Sequence, residues 1–468
     1  MVTGCCAVTK RILFETDWLA SDPVFYNEKT GRASRNINEI IDCADLELHP
    51  EGLNNYLDFG YSILEQTPIK NVKFLRYSSR LWGDEDGTVS VEYLNDPVEQ
   101  WWDYRLSEGD IIDLIRGRVR QWEASVEGEI VIPTSAGYDS RILNWCMEDK
   151  SRVRSFSYGI SENQAKSYEV VYARRLSEIL GTRWEQIPLG DFHQYFDDWD
   201  RHFGVSTHAH GMYHFEFYRQ ILSRVDRGNP LLSGIFGDVW AGSTEPPAIE
   251  SLHELNRLGY THDLHADMQA SVFSPSYDLR TQFLEANVEG MREESYRTIL
   301  QIRLKMILIS YLLKVPLLCG FRPWSPFLDI DICMAMLNLP SERRRGRLWQ
   351  KEFFRKVGLD LESKKLRANR RNTLDLQALE RISVRPLDAD LLGEIIRPGY
   401  VAWINDTLAG RSVDWKARTL NRLLYVPKVG GALRLLGLKD IPDLRTGAYN
   451  AYLVLLPLEK LLRRRDRR

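Results

Sequence analysis

Apolar positions along the 468-residue chain follow two different periods, and the change between them marks out its plan. Residues 1 to about 105 carry short alternating runs separated by turns. Val72–Tyr77 and Thr88–Tyr93 read as two such strands, linked through Gly83-Asp-Glu-Asp-Gly87 as a hairpin. At Ser107 the period lengthens. Apolar residues at 111, 112, 115, 119 and 122 predict a helix over Ser107–Trp122, with Ser107 and Asp110 at its N-terminal cap. The run Glu129-Ile-Val-Ile-Pro-Thr134 then reads as a buried strand. Tyr172, Leu176, Ile179 and Leu180 predict the buried face of a further helix, which Gly181 stops. Strands alternating with helices predict an α/β fold with a doubly wound parallel sheet. Residues 250–315 read as mostly helical, including Ile302–Leu313. Residues 340–468 read as helical with basic patches at Glu342–Arg347 and Lys364–Arg371. The chain thus divides into a small β-rich region (1–105), a nucleotide-type α/β region (106–375) and a helical C-terminal region (376–468).

The strand at 129 empties into Ser135-Ala-Gly-Tyr-Asp-Ser140 ahead of a helix, an arrangement suited to pyrophosphate. Gly137 admits an unusual backbone angle and close approach of the main chain to an anion. The unpaired N–H groups and dipole at the helix start favour negative charge. Ser135 and Ser140 add hydroxyl donors, and Asp139 offers the hard oxygen that Mg²⁺ prefers. The loop lacks the Lys-Ser/Thr ending of a Walker P-loop. A second short strand, from Pro230, runs into Ser233-Gly-Ile-Phe-Gly-Asp238. Two strand ends that each bring a carboxylate to one rim of a parallel sheet can share a metal ion, so Asp139 and Asp238 are the metal-ligand candidates.

Composition narrows the classes. A hydrophobic content of 44% suits a globular chain of two or three domains, and a net charge of −3 carries no whole-chain signature of nucleic-acid binding. The six cysteines, at 5, 6, 43, 146, 319 and 333, have no CxxC or zinc spacing, which suits reduced thiols in a cytoplasm. The start, Met-Val-Thr-Gly-Cys-Cys, has no signal-peptide core, and no apolar run reaches membrane-span length. Tyr452–Arg468 is apolar with a basic tip. Two readings compete there: a docked terminal helix with a solvated basic end, which is the expectation, and a helix lying on an acidic membrane surface.

The ordered segments resemble the synthetase half of the asparagine synthetase family, within the PP-loop ATP pyrophosphatases. Thr134–Arg141 resembles the family's Ser-Gly-Gly-x-Asp-Ser loop. Ser155-Phe-Ser-Tyr-Gly159 with Glu169–Thr182 resembles its adenosine-side strand and helix. Leu232–Asp238 resembles Ser-Gly-Glu-Gly-x-Asp-Glu, Arg322–Asp329 resembles Arg-x-Pro-Phe-Leu-Asp, and Gly346–Arg355 resembles the Lys-x-x-x-Arg helix. The N-terminal region is similar to a truncated glutaminase: Asp17–Tyr26 resembles its late strands and Asn54–Tyr61 the entry to the linker. Cys5 and Cys6 are internal, whereas the family's nucleophile directly follows the initiator Met, so glutamine hydrolysis is not expected.

This resemblance implies a PP-loop fold and an AMP-forming amide ligase. A substrate carboxylate would be adenylated by ATP, and ammonia or an amine would then displace AMP. It implies that Ser135, Ala136, Gly137, Tyr138, Asp139, Ser140, Ser157, Ser233 and Gly234 contact ATP, that Asp139 and Asp238 hold Mg²⁺, and that Lys351 and Arg355 neutralise the leaving phosphates. The partners implied are a small carboxylate, an amine donor and a separate glutaminase. Sugar-uronate amidation in polysaccharide synthesis is the favoured reaction; lactam and lasso-peptide closure also occur in the family.

The chain departs from the pattern at several places. Ala136 replaces a Gly, Ile235 replaces the Glu that helps deprotonate the amine, and Val239 replaces the Glu after Asp. The late family Lys has only Arg370 or Lys365 nearby. His208 or His210 is a candidate substitute base. His210 and His214 have the spacing of zinc ligands, but they lack the His-Glu-x-x-His signature, and structural roles are expected for them. Ile235 and Val239 also support a different class, a nucleotide-binding scaffold without catalysis.

Overall fold

Ile130, Val131 and Ile132 are fully buried, and an uninterrupted apolar run of this kind belongs in the centre of a parallel sheet covered on both faces. The computed structural model describes residues 10–259, 264–364, 366–381, 383–410, 415–424, 426, 429–438 and 444–467. Cys5, Cys6 and Lys365 lie outside them.

The strands, in chain order, are β1 (Arg11–Glu15), β2 (Phe25–Asn27), β3 (Ala33–Ser34), β4 (Val72–Phe74), β5 (Ser79–Gly83), β6 (Val89–Tyr93), β7 (Ile130–Pro133), β8 (Val153–Ser157), β9 (Arg183–Gln186), β10 (Pro230–Leu232) and β11 (Arg322–Trp324). The last five form one parallel sheet in the order β11-β10-β7-β8-β9. The chain therefore builds outward from β7 to one edge and then restarts at β10 on the other side. The reversal falls between β7 and β10, and in open α/β sheets this is where a crevice opens at the strands' carboxyl ends.

The N-terminal region holds two antiparallel three-stranded sheets, β1-β5-β6 and β3-β2-β4. The hairpin expected from Thr88–Tyr93 forms, but its other arm is β5; Val72–Phe74 pairs with β2 instead. The alternation of Ser79, Leu81 and Gly83 as buried positions decides this, since it matches the pleat of β5.

The predicted helix at 107 runs Glu108–Ser125. Ser107 Oγ accepts from the Asp110 N–H at 3.2 Å, and Ile111, Ile112, Ile115 and Val119 are buried. The helix Tyr168–Leu180 ends at Gly181, whose φ of 71° suits only a residue without Cβ steric cost. Its inward face uses Val170, Tyr172, Ala173 and Leu176, and Ile179, expected inside, is exposed.

The first and last regions share a core. Tyr56 donates to the Val454 carbonyl at 3.2 Å, and residues 448–462 of the terminal helix Leu444–Asp466 are almost all buried. Its basic tip is not simply solvated. Arg463 pairs with Asp388 and Glu459, Arg464 with Asp200, and Arg465 with Glu394. The apolar side chains that a membrane surface would need are packed inside the protein. Among the described residues no helix is long and apolar enough to cross a membrane.

Candidate functional site

The loop after β7 is pre-formed by its own serines. Ser140 Oγ accepts from the Ser135 N–H at 3.1 Å, and Ser135 Oγ accepts from the Gly137 N–H at 3.1 Å. Gly137 then caps the helix Tyr138–Cys146, and no side chain caps its first turn. An uncapped first turn leaves N–H groups for an anion to take. Gly137 has φ −65° and ψ 158°, which any residue adopts. Its expected unusual backbone angle is therefore absent, and its value lies in leaving room: an added Cβ would sit 3.1 Å from Ser135 Oγ.

Behind the loop, the fully buried Arg141 acts as a clamp. Its guanidinium donates to the Ala136 carbonyl (2.9 Å), the Leu359 carbonyl (3.1 Å) and both oxygens of Glu362 (2.9 and 2.8 Å). Tyr138 and Phe354 cover it at 4.8 and 5.0 Å. The side chains of Ala136 and Tyr138 are thereby turned into the core, with the Tyr138 ring 5.2 Å from that of Phe354. These two residues can offer a ligand only their backbone. The Ser157 hydroxyl is also committed, donating to the Thr134 carbonyl and accepting from Trp184 Nε1 at 2.9 Å. It ties the ends of β7 and β8 together and leaves no donor for ATP.

The loop after β10 closes against the first one. A Cβ on Gly234 would lie 3.0 Å from Asp139 Cβ, and one on Gly237 would lie 2.9 Å from Asp139 Cγ and 2.8 Å from the Phe327 ring. Only glycines permit this approach. Ser233 Oγ accepts from the Ile235 N–H at 3.3 Å and keeps its own hydroxyl proton to donate. Between these glycines Phe236 has φ 66°, a left-handed conformation that a bulky residue adopts only when its surroundings force it. Trp240 donates to the Phe327 carbonyl (3.1 Å) and Trp349 to the Ala241 carbonyl (3.2 Å), which fixes the short helix Gly237–Ala241.

Asp139 and Asp238 therefore meet. One oxygen of Asp139, Oδ1, is enclosed and accepts no hydrogen bond among the described residues. Burial and then the neighbouring Asp238 carboxylate push the Asp139 carboxyl well above the usual range, while Arg347 and the Asp238 backbone N–H pull the other way. Asp238 accepts from Ser243 Oγ at 2.9 Å. Among the described residues no group of three or more His, Cys, Asp and Glu is arranged to hold a metal. Two carboxylates are nevertheless the protein share that Mg²⁺ commonly takes when phosphate oxygens and water complete its octahedron.

The positive side of the site differs in part from expectation. Lys351, in the first turn of the helix Leu348–Lys356, is exposed and makes no hydrogen bond or ion pair among the described residues. Its Nζ folds back to 3.7 Å from where a Gly346 Cβ would be. Arg355, expected beside it, is 69% exposed and turned toward Asp360 at 3.8 Å. Arg347 is the guanidinium that acts on Asp139, and it stacks 4.6 Å from the Tyr138 ring centre. Gly346 and Arg347 both have positive φ (57° and 58°), a double turn that aims Arg347 this way. The basic run 342–347 advertised charge, but nothing in it distinguished Arg347 from its neighbours.

The histidines are set apart from this rim by role. His208 and His214 are buried, which pushes both imidazoles down to about 3. His210 lies 3.1 Å from Asp375, and both remain about one-fifth exposed. Burial would raise the Asp375 carboxyl, but the nearby His210 and His193 outweigh that and hold it low. His210 and His214, four residues apart, thus turn to different partners; the His214 ring packs 5.1 Å from Tyr311. Arg370 stacks on Tyr168 at 4.0 Å. A scan against protein-family models finds no match, and a search of curated proteins finds none either.

Proposed function

We propose that the chain is an ATP-dependent, AMP-forming amide ligase of the asparagine synthetase type, with a PP-loop fold, acting on a small carboxylate and an amine or ammonia donor. One observation carries the reading: the enclosed, unpartnered oxygen of Asp139 set against Asp238, at the point where the strand order reverses. Two adjacent carboxylates, one of them desolvated, are stable as anions only with a cation between them. Mg²⁺ held by Asp139 and Asp238 would neutralise charge on the triphosphate. Ser135, Ser140 and the first-turn N–H groups of the helix at 138 would hold the pyrophosphate end. Lys351 and Arg347 would offset the negative charge that grows there as pyrophosphate leaves. The favoured acyl substrate is a sugar uronate, with a separate glutaminase as the nitrogen source and the cytoplasm as the setting.

A second reading rests on Ile235 and Val239. Ile235 is buried in the core, where the family carries a Glu. A chain that binds MgATP without completing an amide bond would look the same at this loop. ATP–pyrophosphate exchange separates the two, screened over aspartate, uronic-acid sugars and peptides with Mg²⁺ present. Exchange with one of these classes, lost in Asp139→Asn and Asp238→Asn, is the expected result. MgATP binding without exchange would favour the scaffold, and absence of MgATP binding would overturn both.

A further inference from the structure

A cavity of about 490 Å³ opens between the N-terminal sheets and the helices Asp278–Asn287 and Glu294–Ile309. None of the loop residues at 135–140 or 233–238 lines it. Its size is that of a small-molecule site. One wall is apolar and aromatic, with Phe283, Tyr296, Leu300 and Trp102. The rest of the lining carries charged groups: Glu65, Arg76, Asp96, Glu99 and Arg303.

The charges in this wall are unevenly matched. Arg303, which also lines the cavity, is already neutralised: it takes both oxygens of Asp96 at 2.6 and 2.8 Å and lies over the Tyr77 ring. Glu65 and Arg76 form no ion pair within 4 Å of each other or of another residue among those described. Among the described residues the Glu65 carboxylate accepts one hydrogen bond, from the Tyr93 hydroxyl at 2.8 Å. Burial raises its carboxyl despite that bond and despite Arg76, so its charge is under-compensated. Arg76 lies over the Tyr93 ring at 4.1 Å, and its Nε is enclosed with no acceptor.

The backbone gives an independent sign. Ile63 and Gln66 bridge across a two-residue turn in which Leu64 and Glu65 both have positive φ (58° and 59°). Such turns strongly favour Asn-Gly, because most side chains are strained there. Here a Leu and a Glu occupy both positions, and both side chains line the cavity. Ala20, another lining residue, also has positive φ (56°). Backbone strain of this kind persists only where the surroundings hold it, and it clusters at ligand-binding sites.

We propose that this cavity binds a free α-amino acid with an apolar or aromatic side chain, its ammonium on Glu65 and its carboxylate on Arg76. The site is separate from the rim of the parallel sheet and does not depend on the ligase reading. An apolar amino acid is the class that presents one positive and one negative group a few ångströms apart, followed by a body suited to the Trp102, Phe283 and Tyr296 wall.

Isothermal titration calorimetry on the full chain tests this without ATP or magnesium. The probes are L-leucine, L-phenylalanine, L-leucinamide (no carboxylate) and N-acetyl-L-leucine (no ammonium). The expected result is saturable binding of leucine or phenylalanine, with at least tenfold weaker binding of both leucine derivatives. Glu65→Gln and Arg76→Met should each cost at least tenfold in affinity for the zwitterion while keeping the wild-type circular dichroism spectrum. No heat with either amino acid at millimolar concentration would overturn the proposal, as would equal binding of the derivatives or undiminished binding by a folded Glu65→Gln. Because the derivative comparison uses the wild-type chain, the test stands even if Arg76→Met fails to fold.

Discussion

The Arg141–Glu362 clamp is the most direct test of how the loop at 135–140 is held. Arg141 is fully buried and makes four hydrogen bonds, two to Glu362 and one each to the Ala136 and Leu359 carbonyls. Arg141→Met leaves two enclosed carbonyls without those donors and one carboxylate without its partner. Losing one partner of a buried pair costs about 3–5 kcal/mol. The Glu362 side chain remains 34% exposed and can be rehydrated, which reduces the expected cost to about 2–4 kcal/mol. Glu362→Ala leaves the guanidinium buried with only carbonyl acceptors, and the same reasoning gives about 3 kcal/mol. The double variant removes both charges together and should cost about 4 kcal/mol, well short of the sum. A coupling of about 2 kcal/mol is therefore expected from urea unfolding at pH 7, followed by tryptophan fluorescence and circular dichroism. Single costs that add to within about 0.5 kcal/mol would refute the argument that this pair holds the loop.

Two further outcomes follow from the same geometry. The folded Asp139 carboxyl binds its proton more tightly than in the unfolded chain, so its contribution to stability is present at acid pH and is lost as pH rises through the raised folded value. With EDTA present, Asp139→Asn should melt above wild type at pH 8, and the gap should close as pH falls toward about 4, below the usual carboxylate range; Mg²⁺ should raise the wild-type melting temperature at pH 8 and leave that of Asp139→Asn unchanged. A wild-type chain more stable than Asp139→Asn in EDTA at pH 8 would remove the case for a metal there. On the proposed ligase reading, with the His210–Asp375 pair taking the proton of the incoming amine, His210→Ala should lower amide formation about 100-fold or more and leave ATP–pyrophosphate exchange near the wild-type rate. Full-rate amide formation would remove His210 from the mechanism.

Local signals carried well where one residue sets the geometry. Ser107 capped its helix, Gly181 ended another, and the apolar run at 130–132 became the central strand. They carried poorly where a choice between neighbours depends on packing. Tyr138 and Asp139 are adjacent in one motif, yet Tyr138 turns into the core against Phe354 and Asp139 turns to the second loop. Ser157 stands at the expected strand end, but Trp184 and the Thr134 carbonyl use its hydroxyl. Ile179 has helical spacing and still faces outward, because the sheet is covered by the Tyr172–Leu176 side of that helix.

Local signals along the chain specify the alternation of strands and helices, the two carboxylate loops and the glycines that let them approach. These are properties of short segments, fixed by side-chain period and backbone freedom. Which charge faces which comes from the packing of distant segments. Arg347 reaches Asp139 because a double left-handed turn points it there, Arg355 swings to Asp360, and Arg141 closes on Glu362 from 221 residues away. Electrostatic partnership depends on distance and burial in space, and neither is written along the chain until the strand order brings β7 and β10 side by side.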